Sequence, residues 1–259
     1  MSSESAVVVE IDDQGVATVW LNRPDSLNAW GADLSSALFE ALQENEADPG
    51  VRGVVLTGKG RAFSAGADLK NPETHRIDSL EEYLRLPIAR GRPMFDLVSH
   101  YKKPILCAVN GYAIGIGCLV PICCDFIYAA TSAKFQLPQV SLGILPAYGG
   151  ALRLARAVGE LNAREMIMTG RVITAQEAYD WGLVSRLLAD DQLLNVSRET
   201  MRSIVQKPPY AVSFARESIR MAVDANNMRA AELSDAYRSL ILSQLKDTKA
   251  QHDAWRERK

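Results

Sequence analysis

One stretch limits what this chain can fold into more than any other: ILCAVNGYAIGIGCLVPICCDFIYAA, residues 105–130. It is long and apolar enough to raise the question of a membrane span. Asn110, Pro121 and Asp125 interrupt it, however, and its glycines gather at one place. A buried strand, a short helix opening near Ile116 and a second buried strand fit it better than a span does. Both strands then need a core around them. A chain of 259 residues, 47% of them hydrophobic, is long enough to supply one.

The flanking sequence supports a layered α/β core. AVVVEID and GVATVWLN read as two strands joined near Asp12-Asp13-Gln14-Gly15, a hairpin signal. Leu34, Leu38, Ala41 and Leu42 recur at helical spacing, and Asp48-Pro49-Gly50 stops that helix. VRGVVLTG reads as a buried strand. A polar, turn-rich segment from Gly58 to about Ser79 follows, then a helical stretch to about His100 that contains Pro87 and Pro93. LGILPAYGGALRLARAVG reads as a loop feeding a helix. Strands followed by helices in this rhythm indicate an α/β fold. After about residue 195 the pattern becomes wholly helical. We therefore expect a core over residues 1–195 and a helical segment over 196–259. Ala231, Leu233, Tyr237, Leu240, Ile241 and Leu245 form an apolar stripe in that segment, suited to core packing or to covering a neighbouring subunit.

Composition removes several function classes. Net charge is −2, and no basic stripe interleaved with aromatics occurs, so a nucleic-acid partner is not expected. Cys107, Cys118, Cys123 and Cys124 all fall in the apolar stretch, with no second cluster at zinc spacing. They read as buried free thiols in a reducing compartment, and no metal site is expected. Met-Ser-Ser-Glu-Ser lacks the positive region and apolar run of a secretory signal. A cytoplasmic location follows as the expectation.

Two glycine-bearing turns carry the chemistry. RAFSAGADLK (61–70) follows the strand VRGVVLTG, and GYAIGIGC (111–118) follows ILCAVN. Small residues let backbone approach a ligand closely. A turn that enters a helix leaves amide N–H groups unsatisfied and adds the positive end of the helix dipole. Two such turns facing one point would stabilise negative charge on a thioester oxygen or an enolate. The phosphate-loop pattern is absent, and the glycine spacing is wrong for a dinucleotide fingerprint.

With these motifs in view, the chain resembles the crotonase superfamily, the enoyl-CoA hydratase/isomerase family. The resemblance runs through LNRPDSLNAW (21–30), VVLTGKGRAFSAGADLK (54–70), KKPILCAVNGYAIGIGC (102–118), CDFIYAATSAKF (124–135), LGILPAYGGALRLARAVG (142–159) and TGRVITAQEAYDWGLV (169–184). It implies a spiral of ββα units with a C-terminal helical trimerisation segment, in trimers that often stack as hexamers. It also implies an acyl-CoA thioester as substrate, with coenzyme A part of that substrate and no separate cofactor. By the same resemblance the oxyanion-hole amides belong to Ala67 and Ile116. Ile116 stands where the family usually has glycine; its N–H survives, and its side chain narrows the acyl pocket. Leu27, Ala29, Ala65, Asp68, Leu69 and Lys70 would line the path of coenzyme A.

The departures matter more. Family hydratases carry one glutamate three residues after the oxyanion glycine and a second in an F-x-x-P-E-like run. Here those positions hold Leu119 and Gln139. Hydration needs a base to activate water and an acid to protonate carbon. Leucine can do neither, and an amide can only orient its partners. Two-glutamate hydration is therefore not expected, and isomerisation, decarboxylation or hydrolysis through an enolate takes its place. Tyr148, in LPAYGG, is the first substitute proton donor to consider. His75, His100, Arg90 and Arg92 are further candidates, while Asp125 reads as structural. A non-catalytic acyl-CoA binder and a hydratase with a substitute acid such as Tyr148 are the two alternatives.

Overall fold

A computed structural model describes residues 5–68, 70, 92–224 and 228–257. The first hairpin forms as expected: β1 (Val7–Ile11) pairs antiparallel with β2 (Val16–Leu21). Asp12 Oδ1 ties the turn by accepting from Gln14 N–H and Val16 N–H. Helix α1 (Ala32–Ala47) then buries Leu34, Leu38, Ala41 and Leu42, the positions its spacing marked out.

From here the chain alternates between two sheets. β3 (Gly53–Gly58), β5 (Ile105–Val109) and β7 (Phe126–Ala130) join the first sheet. β4 (Ala62–Ser64), β6 (Tyr112–Ile114) and β8 (Lys134–Gln136) join the second. β3, β5 and β7 are each followed along the chain by a second-sheet strand. The first sheet has the order β1-β2-β3-β5-β7-β10, with β10 spanning Arg186–Leu188. All its pairs after the opening hairpin are parallel. The second sheet has the order β4-β6-β8-β9, closed by the antiparallel β9 (Ile173–Thr174).

Every residue of β3 and of β5 is buried. That accounts for their unbroken apolar sequence, which is typical of parallel strands covered on both faces. The three-residue strands of the second sheet were invisible in the sequence; β4 lies where a polar turn segment was expected, because three residues are too few to show a period. The membrane question closes here as well. Among the described residues no helix is long and apolar enough to cross a membrane, and the 105–130 stretch divides into β5, β6, helix α2 (Ile116–Cys123) and β7.

A helix over Arg92–Ser99 precedes α2 in the chain. Pro121 sits sixth in α2, where it denies Gly117 O its helical donor and helps keep the helix to eight residues. α3 (Gly150–Val158), α4 (Glu160–Thr169) and α5 (Ala175–Asp180) follow. Then α6 (Leu193–Val205) lies against β2, β3, β5 and β7, so the boundary expected at residue 195 falls inside a helix that covers the first sheet. Beyond it come α7 (Pro209–Asp224), α8 (Met228–Gln244) and α9 (Lys246–Glu257). α7 docks through Arg216, whose Nε lies 2.8 Å from Asp125 Oδ2 and whose Nη1 donates to Tyr101 O at 3.0 Å.

Candidate functional site

The crossings from sheet one to sheet two bring the two glycine turns together. Asn110 clamps one crossing to the other. Its Oδ1 accepts from Gly58 N–H at 3.2 Å, and its Nδ2 donates to Gly60 O at 2.8 Å. Gly111 is required at this clamp because a Cβ there would collide with Arg61 O.

The first turn, Ala65–Asp68, is held by the segment Leu27–Trp30. Ala65 N–H donates to Leu27 O at 2.9 Å, Trp30 N–H to Gly66 O at 2.7 Å, and Asp68 N–H to Trp30 O at 3.1 Å. This ladder is the parallel bridge between Trp30 and Ala67. It leaves the N–H of Ala67 facing away from Trp30, with no acceptor among the described residues. Leu27 and Asn28 both take left-handed backbone, with φ of 54° and 53°. The Asn28 side chain secures that shape: Nδ2 donates to Lys59 O at 3.0 Å and Ala62 O at 2.8 Å, and Oδ1 accepts from Arg23 N–H at 2.8 Å.

The second turn opens α2. Gly115 N–H donates to Gln136 O at 2.8 Å, while Gly115 O accepts from Cys118 N–H and Leu119 N–H. Ile116 is the first residue of the helix, so its N–H has no intrahelical acceptor, and none exists among the described residues. The two turns touch. A Cβ on Gly66 would lie 2.7 Å from Ile114 O and 3.8 Å from Gly115 Cα, and a Cβ on Gly117 would lie 2.5 Å from Ser64 O.

Gln139 and Leu119 border this contact. Gln139 opens the 3-10 turn Pro138–Leu142 and is only 8% exposed. Its Nε2 lies 3.9 Å from where a Gly115 Cβ would be, and its Oε1 is buried with no hydrogen-bond partner among the described residues. Leaving an acceptor in that state costs about 1–3 kcal/mol, so its presence calls for a reason. Leu119 is 4% exposed and packs at the start of α3: a Cβ on Gly150 would meet its Cδ1 at 3.3 Å. Tyr148 lies two residues before Gly150, half-buried, with φ of 55°.

Similarity to known proteins agrees with this architecture. The family model for Enoyl-CoA hydratase/isomerase matches residues 12–259. A probable enoyl-CoA hydratase of Rhizobium meliloti is 39% identical over 225 residues, covering 86% of this chain and 84% of that protein. A crotonyl-CoA hydratase of Syntrophomonas wolfei is 33% identical, covering 89% and 88%. The crystal structure of an enoyl-CoA hydratase subunit from Geobacillus kaustophilus superimposes with a TM-score of 0.91 at 30% identity, covering 100% of this chain and 97% of that one. This chain belongs to the enoyl-CoA hydratase/isomerase family. Its α/β architecture is the crotonase fold, as the resemblance implied.

Within the family frame, the expected site residues separate into groups. Ala67, Ile116, Gln139 and Leu119 gather around the contact between the two turns, and Tyr148 belongs to the loop that leads into it. Leu27, Ala29 and Ala65 are half-buried on the strip beside the first turn. Asp68 is engaged: Oδ2 lies 3.6 Å from Arg23 Nη2, and Oδ1 accepts from Lys70 N–H at 3.2 Å. Lys70 is exposed. Leu69, His75 and Arg90 lie outside the described residues, as does the side chain of Arg92. His100 is exposed and bonds Asp96 O through Nδ1, one turn back on its own helix. Asp125 accepts from Ile105 N–H at 2.8 Å and pairs with Arg216, a structural arrangement.

The thiols are free and none is exposed. Burial pushes Cys118 up to about 12 and Cys123 up to about 11, so neither is a ready nucleophile. No group of residues suited to a metal ion occurs among the described residues. A cavity of about 240 Å³ lies between Arg52, Lys102, Lys103, Lys207 and the start of α7, and none of its lining residues belongs to the two turns. Two of its cations have backbone partners: Lys103 Nζ donates to Asn45 O and Asp48 O, and Arg52 to Lys207 O.

Sequence reasoning missed Phe95. Its ring stacks on that of Tyr148 with centroids 4.8 Å apart and planes 13° from parallel. No local motif pointed to it, because the two residues are joined only by the tertiary fold.

Proposed function

We propose that this protein binds an acyl-CoA thioester and stabilises its enolate between the amides of Ala67 and Ile116. The observation that carries the reading is a pair of N–H groups, without an acceptor among the described residues, on two turns in direct contact. Such donors are most effective when fixed in place before charge develops. Coenzyme A would run past Leu27, Ala29, Ala65, Asp68, Leu69 and Lys70. No resident cofactor is needed. The buried free thiols suit a reducing compartment, and we place the protein in the cytoplasm, as a homotrimer or homohexamer.

The reaction we favour is one that needs no paired carboxylates. Leu119 contributes only apolar surface, and Gln139 contributes a buried amide that can orient but not exchange a proton. Decarboxylation of a malonyl-type thioester meets these limits most directly. The bond from Cα to the carboxylate breaks, carbon dioxide leaves, and its electron pair becomes the enolate held by the two amides. The Tyr148 phenol then gives its proton to Cα and is reprotonated from water. Isomerisation and hydrolysis use the same enolate or oxyanion but ask for a base in addition.

The test compares two assays. Purified protein is given 2-methylmalonyl-CoA, followed by release of carbon dioxide, and crotonyl-CoA, followed by loss of enoyl absorbance. We expect the first and not the second. A Leu119→Glu/Gln139→Glu double variant should gain hydration of at least 10²-fold, the scale of general acid–base help. Ile116→Pro, which deletes one donor, should lower decarboxylation by about 10²-fold or more. Rapid hydration by the wild type would overturn the reading and make Tyr148 a substitute acid. Tight acyl-CoA binding with no turnover of either thioester would mark a binding protein.

A further inference from the structure

The loop that carries Tyr148 is built in an unfavourable way. Tyr148 has φ of 55° and Gly149 has φ of 77°, so two successive residues are left-handed. Glycine accepts that conformation freely, but a side chain there is strained. A glycine or asparagine at 148 would make the same turn with less strain. Something must therefore hold this tyrosine, and the ring contact with Phe95 is suited to do so.

Phe95 is 2% exposed, fixed in the helix Arg92–Ser99 among core residues that include Met94 and Val98. Its face lies almost parallel to the Tyr148 ring, at 4.8 Å and 13°. An offset stack of this kind is favourable beyond burial alone, and so works against the backbone strain. Its geometric effect is larger. A change of χ1 at Tyr148 would give up the face of Phe95, so the stack favours one plane for the phenol. A proton donor held in one plane beside the reacting carbon is worth more than a mobile one, because orientation is set before the reaction.

We propose that Phe95 is a positioning residue: it acts through Tyr148, holding the phenol where it serves the enolate. This rests on the reading of Tyr148 given above. A residue that merely fills space would matter equally whether or not residue 148 has a hydroxyl.

The experiment is a double-mutant cycle on decarboxylation of 2-methylmalonyl-CoA, with kcat and KM measured separately and melting temperature measured for each protein. Phe95→Leu keeps most of the volume and removes the ring face. We expect it to lower kcat by about 10-fold, part of the 10²–10⁴-fold help a positioned acid gives, with KM changed less than about 2-fold. In a Tyr148→Phe background the same change should alter kcat by less than about 2-fold, since the hydroxyl it positions is already gone. If Phe95→Leu does not fold, Phe95→Met fills the space with a flexible chain and takes its place. Equal losses of kcat in both backgrounds would overturn the proposal while leaving the role of Tyr148 intact, and so would no loss in either. Full activity of Tyr148→Phe alone, or no decarboxylation by the wild type, would overturn the underlying reading and this proposal with it.

Discussion

Asn28 shows how much of the site hangs on one side chain that performs no chemistry. It is fully buried in left-handed backbone, and its amide satisfies Lys59 O, Ala62 O and Arg23 N–H. Its own carbonyl accepts from Ser64 Oγ at 2.8 Å, and that hydroxyl in turn accepts from Gly66 N–H at 3.2 Å. Asn28→Ala removes three hydrogen bonds and strands their backbone partners, at about 1–3 kcal/mol for each group that water cannot reach. It also places alanine where asparagine is better tolerated. We expect a loss of about 3 kcal/mol, read by denaturant unfolding, together with loss of thioester turnover because the first turn loses its support. Turnover at the wild-type rate in Asn28→Ala would show that Leu27–Trp30 does not hold Ala67. Leu119 and Gln139 could be singled out from sequence, since they stand at positions the family motifs mark. The Phe95–Tyr148 stack could not, since nothing in either residue's neighbours anticipates a ring more than fifty positions away.

At the scale of elements, the long buried strands and the amphipathic helices were readable because each spans enough residues to show a period. β4, β6, β8 and β9 were not, since their two or three residues take their shape from the crossings between sheets. The helix α7 is a different matter. Its sequence announces a helix but not where it binds, and the structure answers with Arg216. The side chains of Arg216 and Asp125 are 11% and 22% exposed. An exposed pair contributes about 1 kcal/mol or less, whereas breaking a fully buried one costs about 3–5. This pair lies between those limits, so Arg216→Ala should destabilise the protein by about 2 kcal/mol. Because Asp125 also holds the N–H of Ile105, part of that loss falls on the start of β5. Limited proteolysis should show earlier cleavage in the segment beyond Lys207 than in the wild type. An unchanged cleavage pattern would mean that α7 is held by its apolar contacts and that the ion pair is incidental.

For the whole molecule, the tail leaves apolar surface without cover. Leu233, Tyr237, Leu240 and Ile241 are 56%, 59%, 61% and 52% exposed, spaced so that they share one side of α8. Core packing within one chain, one of two uses expected for this stripe, therefore does not occur at these four positions. The other use was cover by a neighbouring subunit, and we propose it here. Hiding the remaining surface of four such side chains is worth roughly 4 kcal/mol, too little alone against the cost of association. Other exposed apolar residues, Leu142, Ile144, Leu145 and Leu152 among them, lie on the loop and helix that follow Gln139. A trimer or hexamer that covered both regions would bury enough to be stable, and it would brace the Tyr148 loop from outside. Light scattering coupled to size exclusion should then give a mass of three or six chains for the wild type. Tyr237→Glu/Leu240→Glu should shift it towards a single chain, since a buried carboxylate without a partner opposes assembly. If the assembly braces the loop, that variant should lose turnover even where the chain itself remains folded by circular dichroism. A monomeric wild type would refute the assembly, and a monomeric variant with full turnover would show that each chain carries a complete site.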